Sequence, residues 1–216
     1  MRPISLIVKR IERQMAPRTT EDQWNETHQN IMNTAQQLFA VKGYNGTSMN
    51  DIVNASGASK GAIYNHFESK ERLFMSLLNI QTEAGLEQIT AIFSEDDNSI
   101  DKLKKIFKAT FGSSVACTRE ICMMQTEFMV TASRIESLGP DLLRRYLTIQ
   151  QFVVDIIEEG KKLGEIKQDL DSESLVALVF ATLDGLGFQH ATLGIRFDVE
   201  SLEKLLMEMV FRDLEA

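Results

Sequence analysis

Cysteine, histidine and proline are all scarce in this chain, and each scarcity excludes something. Cys117 and Cys122 are the only cysteines in 216 residues, too few for a disulfide scaffold. Five residues apart on a helix, they face different sides and are read as reduced thiols. Oxidant sensing by either would need a lowered thiol pKa and stays open. With no CxxC and no His/Cys cluster, neither a metal nor a cofactor is expected. His28, His66 and His190 are scattered, and there is no HExxH, phosphate-binding loop or nucleophile elbow, which argues against an enzyme. Three prolines and few alternating β-branched runs leave helix as the main element.

Long apolar runs are also few. Residues 4–8 are too short for the core of a secretion signal. Residues 174–195 are apolar, but Asp184, Gln189 and His190 interrupt them, so a buried or interface helix is expected and no membrane partner. The 44% apolar and 25% charged composition is that of a soluble globular chain, and a cytoplasmic location is expected.

Local signals are dense over residues 48–67, SMNDIVNASGASKGAIYNHF. Ser48 is a good N-cap, with Asp51 three residues on to reach back in a capping box. Gly57 ends that first helix, since glycine takes the left-handed C′ conformation without steric cost. Ser59 then caps a second helix from about residue 60 to 66, which buries Ile63 and Phe67. Two short helices around a tight turn predict a helix-turn-helix, whose second helix enters the DNA major groove. Gly61 and Ala62 are small enough for close backbone approach to bases. Tyr64, Asn65 and His66 offer uncharged hydrogen-bonding tips. The competing reading is an ordinary αα-hairpin with solvated polar residues.

Charge distribution favours DNA. The net charge of −8 divides into +2 over residues 1–75 and −10 over residues 76–216, so the acidic part lies away from the reading head.

Residues 25–85 closely resemble the DNA-binding domain of the TetR family of bacterial regulators. The matching features are Leu38–Phe39, Gly43, Thr47–Ser48, Ile52, Ser56–Gly57, Ser59–Lys60–Gly61, Tyr64-x-His66–Phe67 and Ser69–Lys70–Glu71. Val53 and Ala58 depart mildly, trading volume inside the domain. The resemblance implies phosphate contacts from Thr47 or Ser48, Ser59, Tyr64, His66 and Lys70. It implies base contacts near Lys60, Gly61, Ala62 and Asn65. More weakly, GEIKQDLD and LDGLGFQHATLG resemble the C-terminal domain of the BetI/YfiR-like branch, implying dimerisation and a small effector.

The expected fold is all-α with about nine helices: a basic leader (1–20), a helix-turn-helix domain (21–85) and a helical effector-binding and dimerisation domain (86–216). The leader is read as a mobile terminus, with DNA-backbone contact as the alternative. The fourth helix is expected to run past Gly85 to about residue 93, the sixth to span 118–137, and the seventh 141–163. Met123, Met124, Phe128, Phe152, Phe180 and Phe188 are candidate walls of an effector pocket, with Asp184 as a polar contact. Plain core is the alternative for each. Ala177, Ala181 and Gly185 recur at four-residue spacing on the eighth helix. Leu202, Leu206 and Met209 lie on an apolar stripe of the ninth. Together they suit a two-fold interface. The function expected is a regulator, a repressor, that binds a palindromic operator as a homodimer and is released by a small apolar or amphipathic effector. A helical interaction module and an enzyme are the alternatives.

Overall fold

The computed structural model describes residues 20–116, 118–212, 214 and 215. The expected leader, apart from Thr20, and Cys117 lie outside the described residues. Nine helices form among the described residues: α1 (Thr20–Lys42), α2 (Met49–Ser56), α3 (Lys60–His66), α4 (Lys70–Ala91), α5 (Ser99–Ala116), α6 (Arg119–Ala132), α7 (Gly139–Leu163), α8 (Ser172–Leu193) and α9 (Val199–Phe211). No strand occurs among them; Ile166 and Glu215 form one isolated antiparallel bridge. The all-α expectation holds.

Caps set most boundaries. Ser48, Ser59, Ser69, Thr118, Asp171 and Asp198 each accept a backbone N–H at a helix start. The boundary expected at residue 85 falls inside α4, which runs unbroken through Gly85 for 22 residues. The sixth helix ends at Ala132, earlier than the expected 137. There the Ser133 hydroxyl donates to Val130 O at 3.0 Å, and the N–H groups of Arg134 and Ile135 turn back to Thr131 and Ala132 at 3.1 Å each. The tightened turn buries Leu138 and leads into Pro140 at the start of α7.

Three cores follow. The first lies under α1–α4 and holds Ile31, Phe39, Tyr44, Ile52, Ile63 and Phe74, but also Phe128, Ala132 and Leu138 from the later chain. The second joins α5, α7 and α8 through Ile100, Leu103, Ile157, Ile166 and Val176. Gly160 is required there, because a Cβ would stand 2.7 Å from both Ile166 Cδ1 and Ser99 Cβ. The third joins α5, α8 and α9 around Phe107, Phe111 and Leu183. By length and composition α8 is apolar enough to cross a membrane, yet it packs against α5, α6 and α7.

Candidate DNA-binding face and effector cavity

In the reading head, Ser48 closes both halves of the capping box with Asp51. Asp51 also pairs with Lys42 at 2.7 Å, and the Lys42 and Ser48 hydrogen bonds hold its carboxyl well below the usual range. Gly57 has φ +70°, the left-handed turn expected of it. The Ser59 hydroxyl accepts from Ala62 N at 3.1 Å. α3 buries Ile63 alone among its seven residues. Ser59, Lys60, Gly61, Tyr64 and Asn65 are exposed, with Ala62 half-buried beside them. Lys60 Nζ lies 5.9 Å from the Tyr64 ring centre, so cation and phenol share one outer face. A Cβ on Gly61 would meet nothing within 4 Å, so packing within the chain does not demand glycine.

Three residues expected at phosphates are engaged in the fold. Thr47 is buried, its hydroxyl donating to Gly43 O at 2.8 Å. Lys70 Nζ donates to Tyr44 O at 2.9 Å and sits 4.2 Å from that ring's centre. His66 stacks on Trp24 with ring centres 3.6 Å apart, 5.4 Å from the His28 ring, and its buried Nδ1 has no hydrogen-bond partner. Burial, and then the His28 charge, push the His66 pKa down.

The head is tied to the second half of the chain. Tyr44 is buried, its ring against Phe128 and Phe74 and its hydroxyl donating to Glu71 at 2.9 Å. Burial raises the Tyr44 pKa, with the Glu71 bond adding to it. Glu127 on α6 accepts from Asn45 N at 3.2 Å. Arg72, at the start of α4, donates to Asp141 at 2.5 Å and to Ser137 O at 3.0 Å.

Between α4, α5, α7 and α8 lies a cavity of about 610 Å³, whose lining includes Gly85, Ile89, Ile149, Phe180, Leu183 and Asp184. A polar space of about 320 Å³ opens beside it between α4 and α7. A tighter apolar crevice, which shares Phe180 and Leu183, continues toward α9. Of the expected pocket residues, Phe180 and Asp184 line the cavity. Phe128 does not: it is fully buried in the reading-head core, and Met124 packs against the same core. Their apolar stripe points inward, but toward the head. Phe188 is exposed, while Met123 and Phe152 are half-buried and line neither cavity. Asp184 lines the cavity, where partial burial pushes its carboxyl up and Tyr146 OH approaches to 3.4 Å. Sequence reasoning missed Arg145, which lines both spaces. Its signal was position: an arginine three residues after Leu142 and four before Ile149, on the inward stripe of α7.

On the far side of α8, Ala177, Ala181 and the 66% exposed Leu178 face outward, and a Cβ on Gly185 would meet nothing within 4 Å. Leu202 and Leu206 of α9 pack inward on the third core, whereas Leu205 and Met209 stand exposed at 52% and 69%.

A capped helix-turn-helix joined by one continuous helix to a helical, cavity-bearing half defines a DNA-binding, ligand-responsive transcriptional regulator. The comparisons with known proteins agree. The family described as "Bacterial regulatory proteins, tetR family" matches residues 31–77, and "BetI-type transcriptional repressor, C-terminal" matches residues 99–214, more than half of the chain. The chain belongs to the TetR family of bacterial transcriptional regulators. YfiR of Bacillus subtilis, an uncharacterized HTH-type transcriptional regulator, is 25% identical over 195 residues, covering 88% of this chain and 90% of its own. The fatty acid metabolism regulator protein of the same organism is 23% identical over 180 residues, 83% of this chain and 91% of its own. The Bacillus subtilis regulator FadR, solved in complex with stearoyl-CoA, shares the fold at a TM-score of 0.64 and 20% identity, over 84% of this chain and 96% of that one.

Proposed function

We propose that this protein is a cytoplasmic repressor that binds a palindromic operator as a homodimer and leaves it when a small apolar or amphipathic effector enters the α4/α5/α7/α8 cavity. The observation that carries this reading is the double service of α4. Its first turn holds the reading head through Lys70, which donates to Tyr44 O, and its Gly85, Gln88 and Ile89 line the cavity. A ligand there acts on the helix that positions the head, and it shifts the equilibrium only by its preference for one arrangement. Tyr64, Asn65, Lys60 and the α3 N-terminus are the DNA contacts of this reading. The exposed strip of α8 with Leu205 and Met209 of α9 is its dimer face. The relatives named for fatty acid metabolism and for stearoyl-CoA support an acyl-type effector.

The experiment is selection of bound sites from a random DNA pool, followed by operator binding with and without long-chain acyl compounds. A two-fold site weakened by such a compound is the expected result. A protein that selects no site contradicts the regulator reading. A site that no acyl compound weakens contradicts the effector class.

A further inference from the structure

Arg145 has a position that packing alone does not explain. It lies on the inward stripe of α7, where an arginine is rarely held without an acidic partner. Its Nε donates to Leu78 O of α4 at 3.3 Å. Its two terminal nitrogens donate to nothing among the described residues, and no carboxylate there pairs with it. The neighbouring Arg144 differs: it is exposed and pairs with Asp141, which also takes Arg72. Arginine stays charged at any pH near neutrality. The fold has thus drawn a permanent cation partly out of water and supplied no anion for it.

The two spaces meet at this side chain. Among the described residues it is the one lining both the polar opening of about 320 Å³ and the larger cavity of about 610 Å³. The larger space presents Ile89, Ile149 and Phe180 beyond the guanidinium; the smaller presents Asn79 and Thr148 before it. Both volumes fall in the ordinary range of ligand sites, roughly 300–1,000 Å³. A planar cation at the junction of a polar and an apolar space is arranged for a molecule with one charged end.

We propose that Arg145 is the anion anchor of the effector site, receiving the head group of an amphipathic anion whose tail lies along Ile149 and Phe180. The proposal rests on the reading of this cavity as the effector site. The surrounding charges narrow the head. Asp141 with its two arginines leaves one surplus positive charge, against which Glu83 borders the polar space and Asp184 the larger one. Three arginines then face three carboxylates, a balance that gives a multiply charged group no advantage, so the head carries one negative charge, as a carboxylate does.

The test measures binding of palmitate, uncharged hexadecanol and palmitoyl-CoA to the full chain, below their micelle concentrations, for the wild type, Arg145→Gln, Arg145→Lys and, as a control outside both spaces, Lys162→Gln on the same helix. The wild type is expected to bind palmitate at least about tenfold more tightly than hexadecanol, the yield of one desolvated charge-assisted contact. Arg145→Gln should erase that preference by weakening palmitate and leaving hexadecanol unchanged. Arg145→Lys should keep part of it, and Lys162→Gln all of it. Equal binding of palmitate and hexadecanol by the wild type overturns the anchor while leaving the cavity as an effector site. That ratio, with Arg145→Lys, decides the matter if Arg145→Gln does not fold. Palmitoyl-CoA bound more tightly than palmitate, and lost in Arg145→Gln, keeps the anchor and overturns the single-charge assignment. No binding of any of the three to the wild type overturns this inference together with the acyl reading of the cavity.

Discussion

Glu127 on α6 holds the backbone N–H of Asn45 at 3.2 Å, joining residues 82 positions apart across the boundary between the two halves. The same carboxylate comes within 3.9 Å of the place a Cβ would take on Gly43. The turn between α1 and α2 therefore lies directly against α6. Tyr44 in that turn meets Phe128 one residue further along α6.

Glu127→Gln keeps the shape and removes the charge. We expect operator affinity without effector to change little, and the effector's effect on it to shrink by part of the usual coupling of about 1–3 kcal/mol. Operator titration with and without a saturating effector measures both. An undiminished response would show that this contact does not transmit.

Phe128→Ala should act on the fold. The ring is fully buried among Tyr44 and Phe74, and removing it should cost about 3–5 kcal/mol. Thermal or denaturant unfolding would register the loss. A variant of unchanged stability would mean the reading-head core closes over the gap.

Tyr64→Ala should weaken binding to all DNA sequences and leave its salt dependence unchanged, because a phosphate contact carries no base information and the phenol carries no charge. Asn65→Ala should instead cost about 1–3 kcal/mol of discrimination at one base position. Competition between cognate and random duplexes separates the two outcomes. The same loss on both duplexes for Asn65→Ala would remove it from base reading.

Gly185→Leu tests assembly without disturbing the single chain, since that position opens on free space. Overpacking a face between two copies should cost about 1–3 kcal/mol. Sedimentation should show a dimer for the wild type and dissociation for the variant at micromolar concentration. A monomeric wild type would contradict the dimer.

His66 makes stability depend on pH. Its folded pKa lies below the ordinary 6.5, through burial and the His28 charge, so the unfolded chain takes up the proton first as pH falls. The stability from the neutral, stacked ring is full above pH 6.5 and is lost as pH drops through the lowered folded pKa. Melting curves from pH 7.5 to 5 should fall more steeply for the wild type than for His66→Gln. Parallel curves would show that this ring is not what titrates.

The reading head was legible because its signals are local. Ser48 with Asp51, Gly57 and Ser59 each act within four residues, and each took the expected role. Phe128 shows why the pocket was not. A helical stripe says that a side chain faces inward, but not which of two adjoining cores it enters. Arg145 was passed over because a lone charge on an apolar stripe looks like snorkelling until the structure shows no partner at its tip. The early end of α6 turned on the Ser133 hydroxyl competing for a helix carbonyl, a signal too common in loops to stand out.

The spareness of α3 has a consequence for how such a protein changes over generations. With Ile63 alone of its seven residues buried and open space beside Gly61, most of the helix is unconstrained by folding. Substitutions at residues 60, 61 and 65 can alter the DNA address while leaving the rest of the molecule as it is. A duplicated copy of this chain can therefore acquire a new operator in a few steps and keep the effector it already answers to, so the set of genes under one chemical signal can grow without a new receptor having to arise.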